Sequence, residues 1–241
     1  MKPHDYEKYA SEYAELGMDG EHYLILRDVP ACLQKYVNGK KALDYGCGSG
    51  RSTRFVKTLG FDTVGVDISQ DMLKQARVKD TSGVYQQIHS GQLPFEDETF
   101  DLIYSSYVLV EIATLAKIET VLREMKRVLK QDGFLLIITP YPERHKGDFI
   151  TSSFDFPENK GPLQSGDTVT LQIPGTNIIL HDYYWTEQDY EQVFHHAGLR
   201  IAEVLKPLGR DDDPIEWLGE KTIPPILVYG LHKGTSAATP S

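Results

Sequence analysis

The sequence predicts a doubly wound α/β fold, a mostly parallel seven-stranded sheet with helices on both faces. Three observations predict it. Short apolar strand patterns alternate with amphipathic helix patterns along most of the 241 residues. The fifth strand pattern, Phe134-Leu135-Leu136-Ile137-Ile138, is apolar at every position, as strands covered on both faces are. The first strand pattern runs straight into a glycine cluster that opens a helix, the place where sheets of this kind bind ligands.

Lys41 to Tyr45 forms the first strand pattern, followed by a helix with Phe55, Val56 and Leu59 on one face and Gly60 as its stop. Thr63 to Ile68 is the second strand, and Ser69 caps a helix carrying Met72, Leu73 and Ala76. Val84 to Ile88 and Phe100 to Tyr104 are the third and fourth strands. Thr114 then caps a long helix in which Leu115, Ile118, Leu122, Met125 and Leu129 recur at three- and four-residue steps, with Gly133 ending that passage. After the fifth strand, a polar stretch over 141–185 contains a hairpin pattern with a Pro174-Gly175 turn. Thr186 caps a further helix that stops at Gly198, and strand patterns at 200–205 and 226–232 complete the seven. Helical patterns at 5–17 and 21–37 precede the alternation. The expected organisation is one domain over 1–233, with a helical lid region at 1–38, a substrate-side insertion at 141–185 and a frayed tail at 234–241.

Composition narrows the function. Apolar residues are 40% and charged residues 25%, a globular balance, and the formal net charge is −10. Such a surface repels a phosphate backbone, so no nucleic-acid partner is expected. Cys32 and Cys47 make neither a disulfide framework nor a zinc site, and no metal is expected. With no membrane-length apolar run and no signal-peptide core at the N-terminus, the expected setting is soluble and cytoplasmic, with no membrane partner.

The sharpest signal is Asp44 at the end of the first strand, followed by Gly46, Gly48 and Gly50. Backbone without side chains lets a ligand approach closely, and the helix behind it offers free N–H groups and positive potential. Asp67 ends the second strand about 20 residues later, where an acid in this topology reaches a ribose. A dinucleotide loop wants a third glycine at the sixth position, which here is Arg51. Asp44 is poorly placed beside a pyrophosphate but well placed to hold an ammonium. An acid for an ammonium, N–H groups for a carboxylate and an acid for a ribose describe a nucleoside-bearing amino acid. A short-chain nicotinamide reductase is set aside: the Tyr-x-x-x-Lys pairs, Tyr36 to Lys40 and Tyr229 to Lys233, lie in the wrong places for it.

Leu43-Asp44-Tyr45-Gly46-Cys47-Gly48-Ser49-Gly50 resembles the first motif of the class I, Rossmann-like S-adenosylmethionine-dependent methyltransferases. Val64 to Ser69 resembles their second motif, Gly91 to Phe95 with Phe100 to Ile103 the approach to their fourth strand, and Leu129 to Leu135 the turn before their fifth. The resemblance implies S-adenosylmethionine as cofactor. By position it implies that Asp44, Gly46, Cys47, Gly48 and Gly50 serve the methionine end, with Ser105 and Tyr13 nearby. Asp67 would hold the ribose, and Ile68 and Met72 would lie against the adenine. Where the family often has an Asp for the adenine amino group, this chain has His89, followed by Ser90. His89 is then either an adenine contact or a solvated strand-end residue.

Methyl transfer needs an oriented nucleophile more than acid–base machinery, so the acceptor side is read more coarsely. Tyr6, Tyr9 and Tyr13 fall on one helical face and resemble the lid of small-molecule members, or else simply pack the helix down. His181, Tyr183 and Trp185 share one face of an extended run, an aromatic wall with His181 as candidate base, or an aromatic strand packed on the sheet. Glu111 is a second candidate catalytic residue, and Tyr141 a further acceptor contact. The resulting expectation is a methyltransferase for a small-molecule acceptor. The alternatives are a cofactor-binding regulatory protein without turnover and a methyltransferase acting on a protein.

Overall fold

The computed structural model describes residues 6–17 and 20–234. Helices α1 (Tyr6–Glu15) and α2 (Glu21–Tyr36) precede a repeating core of β1 (Lys41–Tyr45), α3 (Arg51–Thr58), β2 (Asp62–Asp67), α4 (Gln70–Lys79), β3 (Val84–Gln87), β4 (Phe100–Ser106), α5 (Leu115–Val128) and β5 (Leu129–Pro140). The hairpin β6 (Thr168–Gln172) and β7 (Ile179–Tyr183) follows, then α6 (Glu187–His196), β8 (Leu199–Leu205) and β9 (Ile226–Lys233). The main sheet has the order β3-β2-β1-β4-β5-β9-β8. Within it β9 runs antiparallel to both neighbours, and β1 to β5 are parallel. The predicted fold is thus present, with β6 and β7 forming a separate two-stranded sheet.

Period-two alternation divides the core between two faces. Leu43, Ile103, Leu135, Ile137 and Tyr229 pack with α5 and α6, against Leu122, Met125 and Phe194. Their neighbours Ala42, Leu102, Tyr104, Leu136, Ile138 and Val228 pack on the other side with α2 and α3, against Val29, Leu33 and Val56. Every position of 134–138 is therefore needed, which explains its unbroken apolar run.

The local start signals hold, whereas Gly133, expected to end the passage after the long helix, lies inside β5. Ser69 accepts the amide of Met72 at 3.3 Å and Thr114 that of Lys117 at 3.3 Å. Thr186 forms a capping box with Asp189. The Thr186→Ala variant should lose about 1 kcal/mol of unfolding free energy, seen as an earlier chemical-denaturation midpoint with unchanged slope. An unshifted midpoint would show that the cap contributes nothing.

One boundary differs from the periodicity. Leu129 continues the apolar step of α5 in sequence, yet it opens β5 opposite Phe100. The helix stops because the carbonyls of Arg127 and Val128 accept the amides of Glu98 and Thr99, at 3.0 and 2.8 Å, instead of bonding onward. The tail expected at 234–241 lies, apart from Gly234, outside the described residues.

Candidate active site

The C-terminal ends of β1, β2 and β4 and the loop behind β1 build the first half of the site. Gly46, Gly48 and Gly50 have φ of 75°, 51° and 77°, a region costly for residues with a Cβ. The loop is anchored to β2, whose Val66 carbonyl accepts the amides of Gly46 and Cys47 at 2.8 and 3.0 Å. The three glycines differ in what surrounds them. A Cβ on Gly46 would collide with Val108, and one on Gly50 with the Tyr85 hydroxyl, whereas one on Gly48 would meet nothing within 4 Å. Gly48 faces open space, where a ligand can approach the backbone.

Asp44 is fully buried below this loop. Its Oδ2 accepts the hydroxyls of Ser52 and Thr53, at 2.7 and 2.6 Å, from the first turn of α3. Its Oδ1 is buried with no hydrogen-bond partner. Burial pushes the carboxyl up to about 6, against the pull of the Thr53 and Ser52 hydroxyls. A buried carboxylate oxygen left unsatisfied is costly, and a ligand ammonium would satisfy it.

Asp67 sits across the loop mouth. Its Oδ2 accepts the Gly48 amide and its Oδ1 the Ser69 amide, both at 2.8 Å. Burial raises its carboxyl despite those bonds. Beside it Ile68 is 59% exposed, an apolar platform at a strand end, while Met72 is buried in the same turn of chain. His89 and Ser90 are exposed beyond β3, with His89 bridged to Gln92. Ser105 is buried and gives its hydroxyl to the Tyr45 carbonyl at 3.1 Å, tying β4 to β1. Arg51 does not fill the loop. Its guanidinium reaches the Gly17 carbonyl at 2.8 Å and lies 5.6 Å from the Tyr13 ring centroid, so it fastens α1 beside the loop. The Tyr6 side chain lies outside the described residues, as do the side chains of 7, 8 and 10.

The insertion builds the second half. A cavity of about 30 Å³ is lined by Val110, Tyr141, Arg144, Asp182, Tyr183 and Trp185, among others. Tyr183 and Trp185 stand together with ring centroids 6.5 Å apart. His181 is not among the lining residues; its Nδ1 is 3.0 Å from the Thr170 hydroxyl across the hairpin. Glu111 ends a short turn, Leu109–Glu111, and together with Asp182 and Glu21 pushes the Tyr13 phenol up, though burial does more.

The residue reading did not find Glu21, His22, Tyr107 or Arg144. Glu21 and Arg144 are buried and paired at 3.5 Å. The Tyr107 hydroxyl donates to Glu21 at 3.0 Å, and Tyr107 itself holds φ of 60°, a backbone strain of order 1–3 kcal/mol at a strand end facing the cavity elements. Burial drives His22 well below the usual histidine range, so it stays neutral beside these groups. Glu21 reads as an ordinary helix-start acid in sequence, and the other three carry no local signal. Among the described residues no group of three His, Cys, Asp or Glu side chains could hold a metal ion, and no helix is long and apolar enough to cross a membrane.

A sheet of this order, with an acid and three alternating glycines leading into α3 and a second acid closing β2, defines the class I S-adenosylmethionine-dependent methyltransferase architecture. A family model described as a methyltransferase domain matches residues 43–137. S-adenosylmethionine is the cofactor of that architecture. The orphaned Asp44 oxygen, the open face of Gly48 and the exposed Ile68 fit that molecule. An uncharacterised protein of Methanocaldococcus jannaschii is 32% identical over 137 residues, 55% of this chain and 58% of that protein. The N-demethylindolmycin N-methyltransferase of Streptomyces griseus is 29% identical over 185 residues, 73% of this chain and 77% of that enzyme. A crystal structure of an S-adenosylmethionine-dependent methyltransferase from Clostridium acetobutylicum superposes with a TM-score of 0.64 at 16% identity, covering 96% of this chain and 100% of that one.

Proposed function

We propose that this protein transfers a methyl group from S-adenosylmethionine to a small-molecule acceptor. The observation that carries the reading is the unsatisfied Oδ1 of Asp44, buried beneath a glycine loop whose Gly48 faces open space. S-adenosylmethionine, when bound, supplies an electrophilic methyl group. Asp44 would hold its ammonium, the Gly46–Gly50 backbone its carboxylate end, Asp67 the ribose, and Ile68 with His89 and Ser90 the adenine side. A small acceptor is favoured because the second half of the site is a small cavity with aromatic walls, Tyr141, Tyr183 and Trp185 among them. The Streptomyces griseus relative, named for a small-molecule acceptor, favours the same class. The net charge of −10 disfavours a nucleic acid.

The N-terminal region 1–38 and the insertion 141–185 would belong to one unit with the core and close it. Glu12 accepts the Asn177 amide at 2.9 Å, joining α1 to the hairpin turn, and Glu15 pairs with Lys79 of α4 at 2.7 Å. Closed in this way, the two segments would exclude water and hold the acceptor in line. Amide hydrogen exchange over 6–15 and 168–183 should therefore slow when S-adenosylhomocysteine is added. Equal rates with and without it would show that neither segment is a lid.

Titration calorimetry tests the function directly. S-adenosylmethionine and S-adenosylhomocysteine should each bind with a stoichiometry of one and NAD should not. A metabolite screen should then show acceptor-dependent formation of S-adenosylhomocysteine. Tight NAD binding, or binding without turnover for any acceptor, would overturn the proposal.

A further inference from the structure

We infer that the acceptor reacts through a phenolic hydroxyl, held between the Trp185 indole and the His145 imidazole, with His145 Nε2 as the base that takes its proton. The inference rests on the methyltransferase reading and names the group that the second half of the site receives.

The cavity beside the insertion adjoins the glycine loop. Val110 lines it, and Val108, two residues earlier in the chain, stands against Gly46. The end of β5 leads through Tyr141 into the turn Pro142–Lys146, which sets His145 on the cavity wall. His145 Nδ1 lies 2.9 Å from the Pro142 carbonyl oxygen. A carbonyl only accepts, so Nδ1 carries the hydrogen and the neutral ring keeps its lone pair on Nε2. Among the described residues nothing hydrogen-bonds to that Nε2. The Tyr184 ring crosses the imidazole at 87° with centroids 6.0 Å apart and holds its plane. Burial lowers the imidazole below its ordinary value, against the Pro142 carbonyl and Glu143 and with the help of Lys146, so it is neutral at physiological pH.

The other charged groups on this wall are engaged. Arg144 pairs with Glu21 at 3.5 Å and donates to the Ser152 hydroxyl at 3.0 Å. Asp182 has its own interactions within the protein, and Arg144 acts on it. Trp185 lines the same cavity with its indole Nε1 buried and without an acceptor. An orphaned donor and an open lone pair on one cavity suit a group that both accepts and donates. A hydroxyl does both. A carboxylate has no proton for Nε2, and an ammonium has no lone pair for the indole. The cavity, about 30 Å³, admits about one or two heavy atoms and so takes the hydroxyl end alone. A phenol gives up its proton near the tyrosine value of about 10, far closer to an imidazole than an aliphatic alcohol does. The acceptor O–H bond breaks and the proton forms an N–H bond on His145 Nε2. The oxygen electron pair forms the bond to the methyl carbon as the carbon–sulfur pair passes to sulfur.

The test uses the full chain saturated with S-adenosylhomocysteine, with phenol and its methyl ether anisole as probes. Calorimetry should show phenol binding about tenfold more tightly than anisole, which has no O–H. His145→Phe should erase that preference while leaving S-adenosylhomocysteine affinity unchanged, and Trp185→Phe should weaken phenol several-fold. In NMR of protein carrying heavy nitrogen in histidine, the resonance missing from His145→Phe should show an unprotonated Nε2 at neutral pH, shifted by phenol and not by anisole. Equal binding of the two probes, no binding of phenol, a protonated Nε2, or a preference retained in His145→Phe would overturn the inference. The native comparison of phenol with anisole stands if a variant fails to fold. Failure of S-adenosylhomocysteine itself to bind would instead sink the methyltransferase reading, so the two failures are distinguishable.

Discussion

Asp44→Asn should bind S-adenosylhomocysteine about ten- to hundredfold more weakly than the native protein at pH 7.5, because a buried charge-assisted contact to the ligand ammonium is lost. The pH profile makes the prediction sharper. Burial holds the native Asp44 carboxyl up at about 6, so above that pH it is ionised and ready for an ammonium. Below it, binding must first expel a proton, and affinity should fall by up to tenfold per pH unit. Asp67 is raised as well, so the acid limb of the native profile carries both groups. The difference between native and Asp44→Asn profiles isolates Asp44.

The sign for stability is opposite to that for binding. A folded carboxyl raised above its unfolded value of 3.8 makes the ionised ligand-free protein less stable above pH 6, a cost that fades as pH falls through that value. Asn keeps an oxygen for the Ser52 and Thr53 hydroxyls, so ligand-free Asp44→Asn should melt no lower than the native protein at neutral pH. Lost binding with retained stability marks a carboxylate kept for its ligand. An identical pH slope in the two proteins would show that Asp44 does not meet the ammonium.

Asp67→Ala should also weaken S-adenosylhomocysteine by about ten- to hundredfold, since the ribose loses a charged acceptor. The structure adds a second loss. The Gly48 and Ser69 amides both end on this carboxylate at 2.8 Å, so its removal also loosens the loop. A 2′-deoxy analogue separates the two. If Asp67 binds the ribose hydroxyl, native protein discriminates against the analogue and Asp67→Ala does not. Undiminished discrimination in the variant would leave Asp67 only its loop contacts.

The parts of this fold legible in sequence are those set by residues a few positions apart. Ser69, Thr114 and Thr186 cap their helices because each hydroxyl needs only an amide about three residues on. Gly175 turns the β6–β7 hairpin with φ of 77°, as its place after Pro174 suggests. Asp44, the three glycines and Asp67 are legible because the ends of adjacent strands must lie together once a parallel sheet forms. Leu129 was misread because an apolar step of four residues fits a helix and a strand start equally well.

The sequence by itself therefore determined the class of fold and the meeting of Asp44, the glycine loop and Asp67 at one end of the sheet. Tertiary structure alone decided which residues line the cavity beside the insertion. Arg144 and Glu21 are 123 residues apart, and no periodicity or cap couples such positions. Their pairing exists because α2, the turn after β5 and the hairpin pack at one end of the sheet and leave a buried guanidinium that must be matched. The same packing set Asp182 into the cavity wall with Tyr183 and Trp185, and His181 against Thr170. Asp182, Tyr183, Tyr184 and Trp185 all line the cavity although strand alternation separates neighbours, because β7 ends at Tyr183 and what packs around that end decides which side chains are enclosed.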